Sequence, residues 1–449
     1  MKIKKYIRKG LLFALAGGFM LAGETLPAQA AEKVAVNASV FKDENVLREV
    51  ERYDTNGDGY LDKSELASIT ELYVSEIVSD VSGLEKLTGT SSVILAYNGS
   101  SIKLGKNIKS VHLRMNTSSI AVNAPGAESV IVSSDITSDN EYALCHSVDV
   151  SKCGKLKDMR LFARGLMTFK LPENGGSIKE IRISDSSIKS LKIPTAKKLT
   201  YLSVFSNEEI TSIDTRNAPN LETLYMTDNP KLKSLYLNKN KKLEKIVCAG
   251  TSLDKLDISE NKQLEFLSCP YNKLKSLDCS KNVKLTAVQC YGNKLTSLNV
   301  KKSARIEEVS CANNQIKSLD LSQNRQLKTV LCYGNPLKSL FVKDKKNILK
   351  KVSIAPVIDF VKLDEQNNLL VKVKKNKKIK DYYVAAQPEG EIYYYKSYDT
   401  EPKDMTYKVN YLRDGEYRVQ VASGVQVKNA MVYAKCVFYK DKVTVSSGW

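Results

Sequence analysis

The sequence predicts a mixed but mainly β protein: a solenoid of parallel strands, with a helical cap before it and a β-sandwich-like domain after it. The first observation is a column of five cysteines that recur every 21 residues: Cys248, Cys269, Cys290, Cys311 and Cys332. The second is that each cysteine lies in the same pattern of leucines and asparagine. One such unit has too little partner surface to bury its leucines, so successive copies must stack into one continuous core.

The repeat unit has two similar halves. Aligned on the cysteines it reads L-x-x-L-x-C-x-x-N-x-L-x-x-L-x-L-x-x-N-x-x, as in the unit that starts at Leu264. The alternating L-x-L or L-x-C core of each half has the period of a β-strand, and the asparagine can hydrogen-bond the backbone where the chain turns. Copies before residue 156 are degenerate, and an inserted loop is expected between Ser133 and Lys155. The solenoid is therefore predicted to span residues 88–355, with about twelve units.

This pattern resembles the leucine-rich repeat superfamily, in the 21-residue bacterial class called IRREKO, whose two halves both carry the strand motif. The resemblance covers over half of the chain, and the sequence departs from it by placing cysteine where leucine is usual. It implies a fold rather than a particular partner. Leucine-rich repeats are general interaction scaffolds that bind proteins or glycans through exposed strand positions.

Geometry argues against disulfides within the cysteine column. Neighbouring parallel strands lie about 4.8 Å apart, whereas the Cβ atoms of a disulfide are usually about 3.8 Å apart. We expect these cysteines, and Cys279 in the other half, to be small buried hydrophobic residues in place of leucine. Cys145 and Cys153 lie outside the column and are better candidates for a disulfide, although the sequence does not decide whether they pair.

The first thirty residues have the features of a secretory signal peptide. Five basic residues precede an apolar run from Leu11 to Ala22, and a cleavage site follows at Ala28-Gln29-Ala30. Residues 1–30 are predicted to be removed, which makes the mature chain secreted or extracellular, with cell-wall association as a further expectation. A retained membrane anchor is the alternative, but the run is shorter than the roughly 20 residues that span a bilayer. No integral membrane segment is expected after cleavage.

The charge of the chain favours anionic partners. The formal net charge is +19, of which the predicted signal peptide carries four, so the mature chain carries +15. Such a surface attracts polyanions, and for an exported protein these would be anionic cell-wall polymers, anionic glycans or acidic host surfaces. No nucleic-acid-binding motif occurs in a suitable context, so nucleic acid is not an expected partner. The competing interpretation is a solvated, lysine-rich solenoid surface with no specific partner.

The segment from Asp54 to Glu65 matches D-x-[DN]-x-[DN]-G-x5-E at every fixed position and resembles an EF-hand calcium loop. The resemblance implies Ca2+ as the bound ion, held by Asp54, Asn56, Asp58, the backbone carbonyl of Tyr60, Asp62 and Glu65. Helical spacing before the loop and from Ser64 to Tyr73 predicts a helical EF-hand-like cap over residues 31–87, braced by calcium. A turn that matches by chance is the alternative.

Outward strand positions of the solenoid are rich in aromatic residues. These are the predicted contacts with a protein or glycan partner: Tyr201, Phe205, Tyr225, Phe266, Tyr291 and Tyr333. Aromatic side chains give a large contact area at little entropic cost. The alternative is that stacked aromatic residues stabilise the parallel ladder itself.

Residues 356–449 leave the repeat and are rich in tyrosine. Six or seven short alternating runs separated by turn residues predict a β domain, with an immunoglobulin-like or fibronectin-like sandwich as the preferred architecture. Its topology and role are not readable from the sequence.

The sequence does not predict an enzyme, and no catalytic residue is assigned. The two histidines, His112 and His146, lie near no nucleophile motif. A two-carboxylate glycosidase needs no local signature, but a regular solenoid offers a shallow surface rather than a water-excluding pocket. The predicted function is that of a secreted or cell-surface interaction and adhesion protein. A structural envelope component held to anionic wall polymers is the alternative.

Overall fold

A computed structural model describes residues 33–134, 144–343, 346–352, 354–364, 366, 368–388, 395–397, 402, 404–410, 412–413, 415–438 and 441–445. The predicted signal peptide lies outside these residues, as do residues 135–143 of the predicted insertion. No helix within the described part of the chain is long and apolar enough to cross a membrane.

A long sheet of parallel strands forms one side of the solenoid. Its strands, each paired in parallel with the next, are β3 (Glu71–Val78), β4 (Ser92–Tyr97), β6 (Ser110–Met115), β8 (Ser129–Ser134), β10 (Asp158–Phe162), β12 (Glu180–Ser184), β14 (Tyr201–Phe205), β16 (Thr223–Tyr225), β18 (Lys245–Val247), β19 (Phe266–Ser268), β21 (Ala287–Gln289), β23 (Glu308–Ser310) and β25 (Thr329–Leu331). Among the described residues, twelve of these strands fall within 88–355, one for each predicted unit. The predicted solenoid is therefore confirmed.

The second halves of the units form shorter parallel sheets on the other side of the core. These are β5 (Ser101–Lys103), β7 (Ser119–Asn123), β9 (Ser147–Asp149) and β11 (Thr168–Lys170); β13 (Ser190–Lys192), β15 (Ser212–Asp214) and β17 (Ser234–Tyr236); β20 (Ser276–Asp278) with β22 (Ser297–Asn299); and β24 (Ser318–Leu321) with β26 (Ser339–Val342). Second halves thus carry strands, as the double L-x-L pattern predicts, except in the unit that starts at Leu243, where residues 252–258 form none. The repeated leucines point inward between the two layers and are buried.

The five column cysteines lie on consecutive coils and are fully buried as free thiols. A hydrogen bond with Cys248, together with burial, raises the pKa of Cys269, and burial raises that of Cys311 to about 12. Cys269 and Cys311 therefore stay neutral, and all five side chains pack as small apolar groups in the core. Cys145 and Cys153 are likewise buried free thiols rather than a pair.

Asparagine side chains fasten each coil to the one before it. In the first halves, Nδ2 donates to the carbonyl oxygen of the column cysteine one unit earlier, at 2.6–2.9 Å, from Asn272, Asn293, Asn314 and Asn335. The Oδ1 atoms accept a backbone N–H from the preceding coil, as Asn293 does from Leu274. Because these amides are buried or half-buried, each satisfies backbone groups that water reaches poorly.

The N-terminal cap contains β1 (Val34–Ala35), α1 (Glu44–Glu51), β2 (Tyr60–Leu61) and α2 (Lys63–Ser68). Asp43 caps α1, and α2 begins with a capping box between Asp62 and Glu65. The second helix is shorter than the helical spacing from Ser64 to Tyr73 suggests, because β3 begins at Glu71. Buried Leu72 and Val74 flank exposed Tyr73, which is the alternation of a strand. A 3-10 turn follows at Leu84–Lys86.

The C-terminal domain has two antiparallel sheets that share a core. One contains β27 (Ile358–Leu363), β28 (Leu369–Val373) and β31 (Thr406–Val409); the other contains β29 (Asp381–Pro388), β30 (Tyr395–Lys396), β32 (Gly415–Val427), β33 (Ala430–Phe438) and β34 (Val443–Val445). The short helix α3 (Leu349–Val352) precedes them, and Tyr407 and Tyr417 are buried between the sheets. Strand β33 also pairs in parallel with β25, so the second sheet continues the long sheet of the solenoid.

Candidate functional site

The outward side of the long sheet, here called the strand face, carries all six aromatic residues predicted to bind a partner. Tyr201 and Phe205 lie on β14, Tyr225 on β16 and Phe266 on β19, whereas Tyr291 and Tyr333 follow β21 and β25. The structure separates them into two groups along the solenoid. Phe205 is half-buried at the end of its strand and belongs to neither group.

The first group is a run of cationic and aromatic side chains in mutual contact, here called the cation–aromatic ladder. The Arg182 guanidinium lies 4.8 Å from the ring centroid of Tyr201, whose centroid is 5.7 Å from that of Tyr225. Lys245 Nζ then lies 5.0 Å from the Tyr225 centroid and 5.3 Å from that of Phe266. Register explains the contacts, because these positions occupy adjacent or diagonal places on neighbouring strands.

The ladder both stabilises the coils and presents aromatic surface. Each cation–aromatic contact is worth about 0.5–1 kcal/mol at an exposed site. The three aromatic rings remain half-buried, so part of each ring is accessible to a partner. Contact with a partner and stabilisation of the stacked strands are therefore compatible roles for these aromatic residues.

The second group lines a groove of about 650 Å³ between the strand face and the C-terminal domain, here called the tyrosine groove. Tyr291 and Tyr333 come from the solenoid, and Tyr383 and Tyr433 from the C-terminal domain. Tyr333 is only 5% exposed because it packs in a cluster with Tyr433. Sequence reasoning missed Tyr383 and Tyr433, since nothing in the sequence indicates that β33 adds to the end of the solenoid sheet.

Acidic side chains and no basic ones are found among the described residues that line the tyrosine groove. Glu308 and Asp228 are the acids. Ser268 Oγ donates to Gln289 Oε1 at 3.1 Å, and Gln289 Nε2 donates to Glu308 Oε1 at 3.1 Å. This relay crosses three strands and holds the Glu308 carboxylate on the strand face.

Two further contacts orient tyrosine rings at the groove. The Tyr433 hydroxyl donates to the Asp381 carboxylate, and burial together with this carboxylate raises the pKa of Tyr433 well above its usual value. The hydroxyl therefore stays protonated and keeps donating. Tyr271 packs edge-on against Tyr291, with ring centroids 5.3 Å apart, although its own backbone has a φ of +52°. A bulky residue seldom adopts that conformation, which costs about 1 kcal/mol or more.

The predicted calcium loop is shaped by hydrogen bonds from its own backbone. Gly59 has a φ of +79°, as the sharp turn requires. Asp54 accepts the N–H groups of Asp58 and Gly59 at 3.1 and 2.8 Å, and Asn56 accepts that of Asp58 at 2.8 Å. Tyr60 donates its backbone N–H to Asp58 at 2.9 Å.

The Glu65 carboxylate joins the two ends of this loop. It accepts the backbone N–H of Thr55 at 2.8 Å and that of Asp62 at 3.0 Å, and these hydrogen bonds lower the pKa of Glu65. Strand β2 lies within the loop and pairs antiparallel with β1.

The donor set of the loop suits calcium, because it consists of carboxylate and amide oxygens. Lys33 Nζ lies 2.6 Å from Asp58 Oδ2 and holds the pKa of that carboxyl below its usual value. In this arrangement the acidic side chains face backbone amides and Lys33. No three His, Cys, Asp or Glu side chains within the described residues are grouped to hold a metal ion. Calcium binding therefore stays a prediction.

The strand pairings define a solenoid of parallel strands with leucine-rich coils, flanked by two further units. No protein-family model matches the chain. No curated protein matches it in sequence either.

Three solved structures illustrate the likeness of this chain to known proteins. The functional domain of InlJ from Listeria monocytogenes, described as including a cysteine ladder, aligns over 91% of this chain and 99% of its own, with 17% identity and a TM-score of 0.41. The leucine-rich repeat domain of APL1B aligns over 57% and 79%, with 15% identity and a TM-score of 0.43. YopM from Yersinia pestis aligns over 57% and 77%, with 14% identity and a TM-score of 0.40. The fold of this chain is defined by its own strand pairings.

Proposed function

We propose that this protein is a secreted or cell-surface-associated interaction protein that binds a protein or glycan partner through its strand face. The observation that carries the proposal is the cation–aromatic ladder, which holds Tyr201, Tyr225 and Phe266 half exposed on one continuous sheet. Such surfaces combine aromatic contact area with positive charge. Adhesion at a bacterial surface and a non-catalytic role are parts of the same proposal.

Capture of a partner by the mature chain tests this proposal. A protein pulldown and a glycan array would identify the partner, and Tyr225→Ser combined with Phe266→Ser should abolish its capture. The matched control is Tyr236→Ser, because Tyr236 also carries a cation, Arg216 at 5.0 Å, but lies on β17 in the opposite layer. Equal capture by the ladder variant and the control would rule out the ladder as the contact surface.

A second candidate function is that of an envelope component held electrostatically to anionic wall polymers. The charge of +15 on the mature chain favours it, and the loops that join the strands expose many lysines. Salt separates the two candidates, because exposed charges are screened over about 8 Å at physiological ionic strength. Retention on isolated cell walls that falls steeply between low and moderate salt would favour the polymer. Retention that persists would favour the aromatic contact.

We infer that the loop from Asp54 to Glu65 binds calcium and braces the cap. The order of the side chains, the positive φ of Gly59 and the turn formed by backbone hydrogen bonds support this inference. The ligands would be Asp54, Asn56, Asp58, the Tyr60 carbonyl, Asp62 and Glu65. Calcium would offset the repulsion between the four carboxylates, which Lys33 otherwise offsets in part at Asp58.

A further inference from the structure

We propose that the tyrosine groove binds an organic cation, namely the ammonium or guanidinium group of a basic side chain on a protein partner. The inference deepens the proposed function and rests on it in one respect, that the strand face is a binding surface. It differs in location, because the groove lies at the junction with the C-terminal domain rather than on the ladder.

The first argument is the charge of the groove. The chain has 69 basic and 50 acidic residues, yet the described lining residues include Glu308 and Asp228 and no lysine or arginine. A concave site lined by one sign of charge concentrates ligands of the opposite sign. The groove is therefore suited to bind a cation, although the overall positive charge of the protein repels cations.

The second argument is the chemistry of the lining. Four tyrosines contribute to the groove, and aromatic faces attract ammonium and guanidinium groups through their quadrupole. The same chain already uses this contact, since Arg182 and Lys245 pack on Tyr201 and Tyr225 in the ladder. A nearby carboxylate strengthens such recognition by pairing directly with the cation.

The third argument is that the groove is held in shape from several sides. Gln289 and Ser268 hold the Glu308 carboxylate, and Asp381 holds the Tyr433 ring. Tyr271 packs edge-on against Tyr291, which belongs to the next coil.

The size of the groove fits a side chain together with its adjoining backbone. Its volume of about 650 Å³ exceeds that of a single side chain and lies within the roughly 300–1,000 Å³ of ligand pockets. The backbone of a partner segment would thus lie along the strand face while its basic side chain enters between the tyrosines.

Pairs of charged and neutral small molecules test the proposal on the full mature chain. Ligand-observed NMR would compare Nα-acetyl-lysine N-methylamide, whose side-chain ammonium is free, with Nα-acetyl-norleucine N-methylamide, which lacks the charge. A second comparison would set choline against its neutral analogue 3,3-dimethylbutanol. We expect the lysine compound to bind and its neutral counterpart not to bind. Equal binding of the two would overturn the proposal, and binding of choline in place of the lysine compound would overturn the assignment to a basic side chain.

Two matched variants locate the site. Glu308→Gln keeps the shape of the side chain and removes its charge, so it should weaken binding of the lysine compound about tenfold. Glu307→Gln makes the same change one residue away, where Glu307 pairs with Lys328 outside the groove, and should leave binding unchanged. Tyr291→Leu removes one aromatic face of the groove and should also weaken binding. It provides a second test that does not depend on the stability of the Glu308→Gln variant. Unchanged binding in both groove variants would refute the assignment.

Failure of this inference is distinguishable from failure of the proposed function. If the protein binds the lysine compound but captures its partner equally well when the ladder residues are replaced, the cation site stands and the ladder is not the contact surface. If the protein captures its partner through the ladder but does not bind the lysine compound, only the proposed cation site is refuted.

Discussion

The ring of Tyr271 lies directly over Gly292, the corresponding residue of the next coil. A Cβ added to Gly292 would stand 2.7 Å from Cδ1 and 2.8 Å from Cε1 of that ring. Both residues have positive φ angles, +52° and +66°. The same relationship recurs two coils further along, where a Cβ on Gly334 would clash with Asn313. Large and small residues therefore alternate at this turn from Tyr271 to Gly334, because these neighbouring coils are too close for two large ones.

Gly292→Ala tests this close approach. We expect it to lower the free energy of unfolding by about 2–3 kcal/mol, about 1 from the positive φ and the rest from the contact with Tyr271. In a Tyr271→Ala background the same substitution should cost only about 1 kcal/mol, because the ring is gone. Denaturant unfolding of the four proteins measures the coupling.

A matched glycine provides the control for that cycle. Gly154 has no heavy atom within 4 Å of an added Cβ, so Gly154→Ala should change stability little. If Gly292→Ala cost the same in both backgrounds, the Tyr271 ring would not be in contact with this position.

The part of the fold built from repeats was predictable because every unit has a similar pattern of inward apolar residues and turn asparagines. The spacing of the column cysteines is sufficient to place Cys248 and Cys269 on adjacent coils, and the parallel pairing of β18 with β19 confirms it. The segment around Leu72 was harder. Its apolar residues suit a helix as well as a strand, and pairing with β4 decides between them.

The tyrosine groove was only half predictable, for a different reason. Tyr291 and Tyr333 belong to the repeat, so their outward direction follows from strand alternation. Tyr383 and Tyr433 reach the groove only because β33 pairs with β25, a contact between segments about a hundred residues apart. No local pattern encodes such a pairing, and the composition of the C-terminal domain predicts strands without their neighbours.

Asn314→Ala should be among the most destabilising single changes in the solenoid. Its Nδ2 donates to the carbonyl oxygens of Cys290 and Cys311 at 2.9 and 3.1 Å, and its Oδ1 accepts the N–H of Leu295 at 2.9 Å. Removing the amide leaves buried backbone groups without partners, at about 2–4 kcal/mol. Thermal unfolding compared with Gln315→Ala, an exposed neighbour, checks this expectation. A similar loss in both variants would contradict it.

The column thiols should make stability fall at alkaline pH. Burial raises the pKa of Cys311 from 9.0 to about 12 in the folded chain. The unfolded chain therefore loses this proton first as pH rises above 9, and the stabilising contribution is lost between about pH 9 and 12. Unfolding measured across that range should show a smaller decline in Cys311→Val than in the unaltered protein. An identical decline would mean that the thiol is not held neutral by burial.

Calcium should stabilise the protein through the loop from Asp54 to Glu65. Extracellular calcium modules bind at about 10⁻⁴–10⁻³ M, and at ten times the dissociation constant the gain in unfolding free energy is about 1.4 kcal/mol. Calorimetry and thermal unfolding with and without calcium measure both quantities. Asp54→Ala should abolish the effect, whereas Glu76→Gln, an exposed acid outside the loop, should preserve it.

Lys33 should weaken calcium binding, because its ammonium occupies Asp58 Oδ2 at 2.6 Å and places a positive charge beside the ion. Lys33→Gln removes that charge, so we expect calcium affinity to rise about three- to tenfold, with most of the gain lost at high salt. Lys42→Gln is the matched control, since Lys42 is an exposed lysine of the same cap outside the loop. Equal affinity in both variants at low salt would show that Lys33 does not compete with calcium, and a fall in affinity would show instead that it supports the loop.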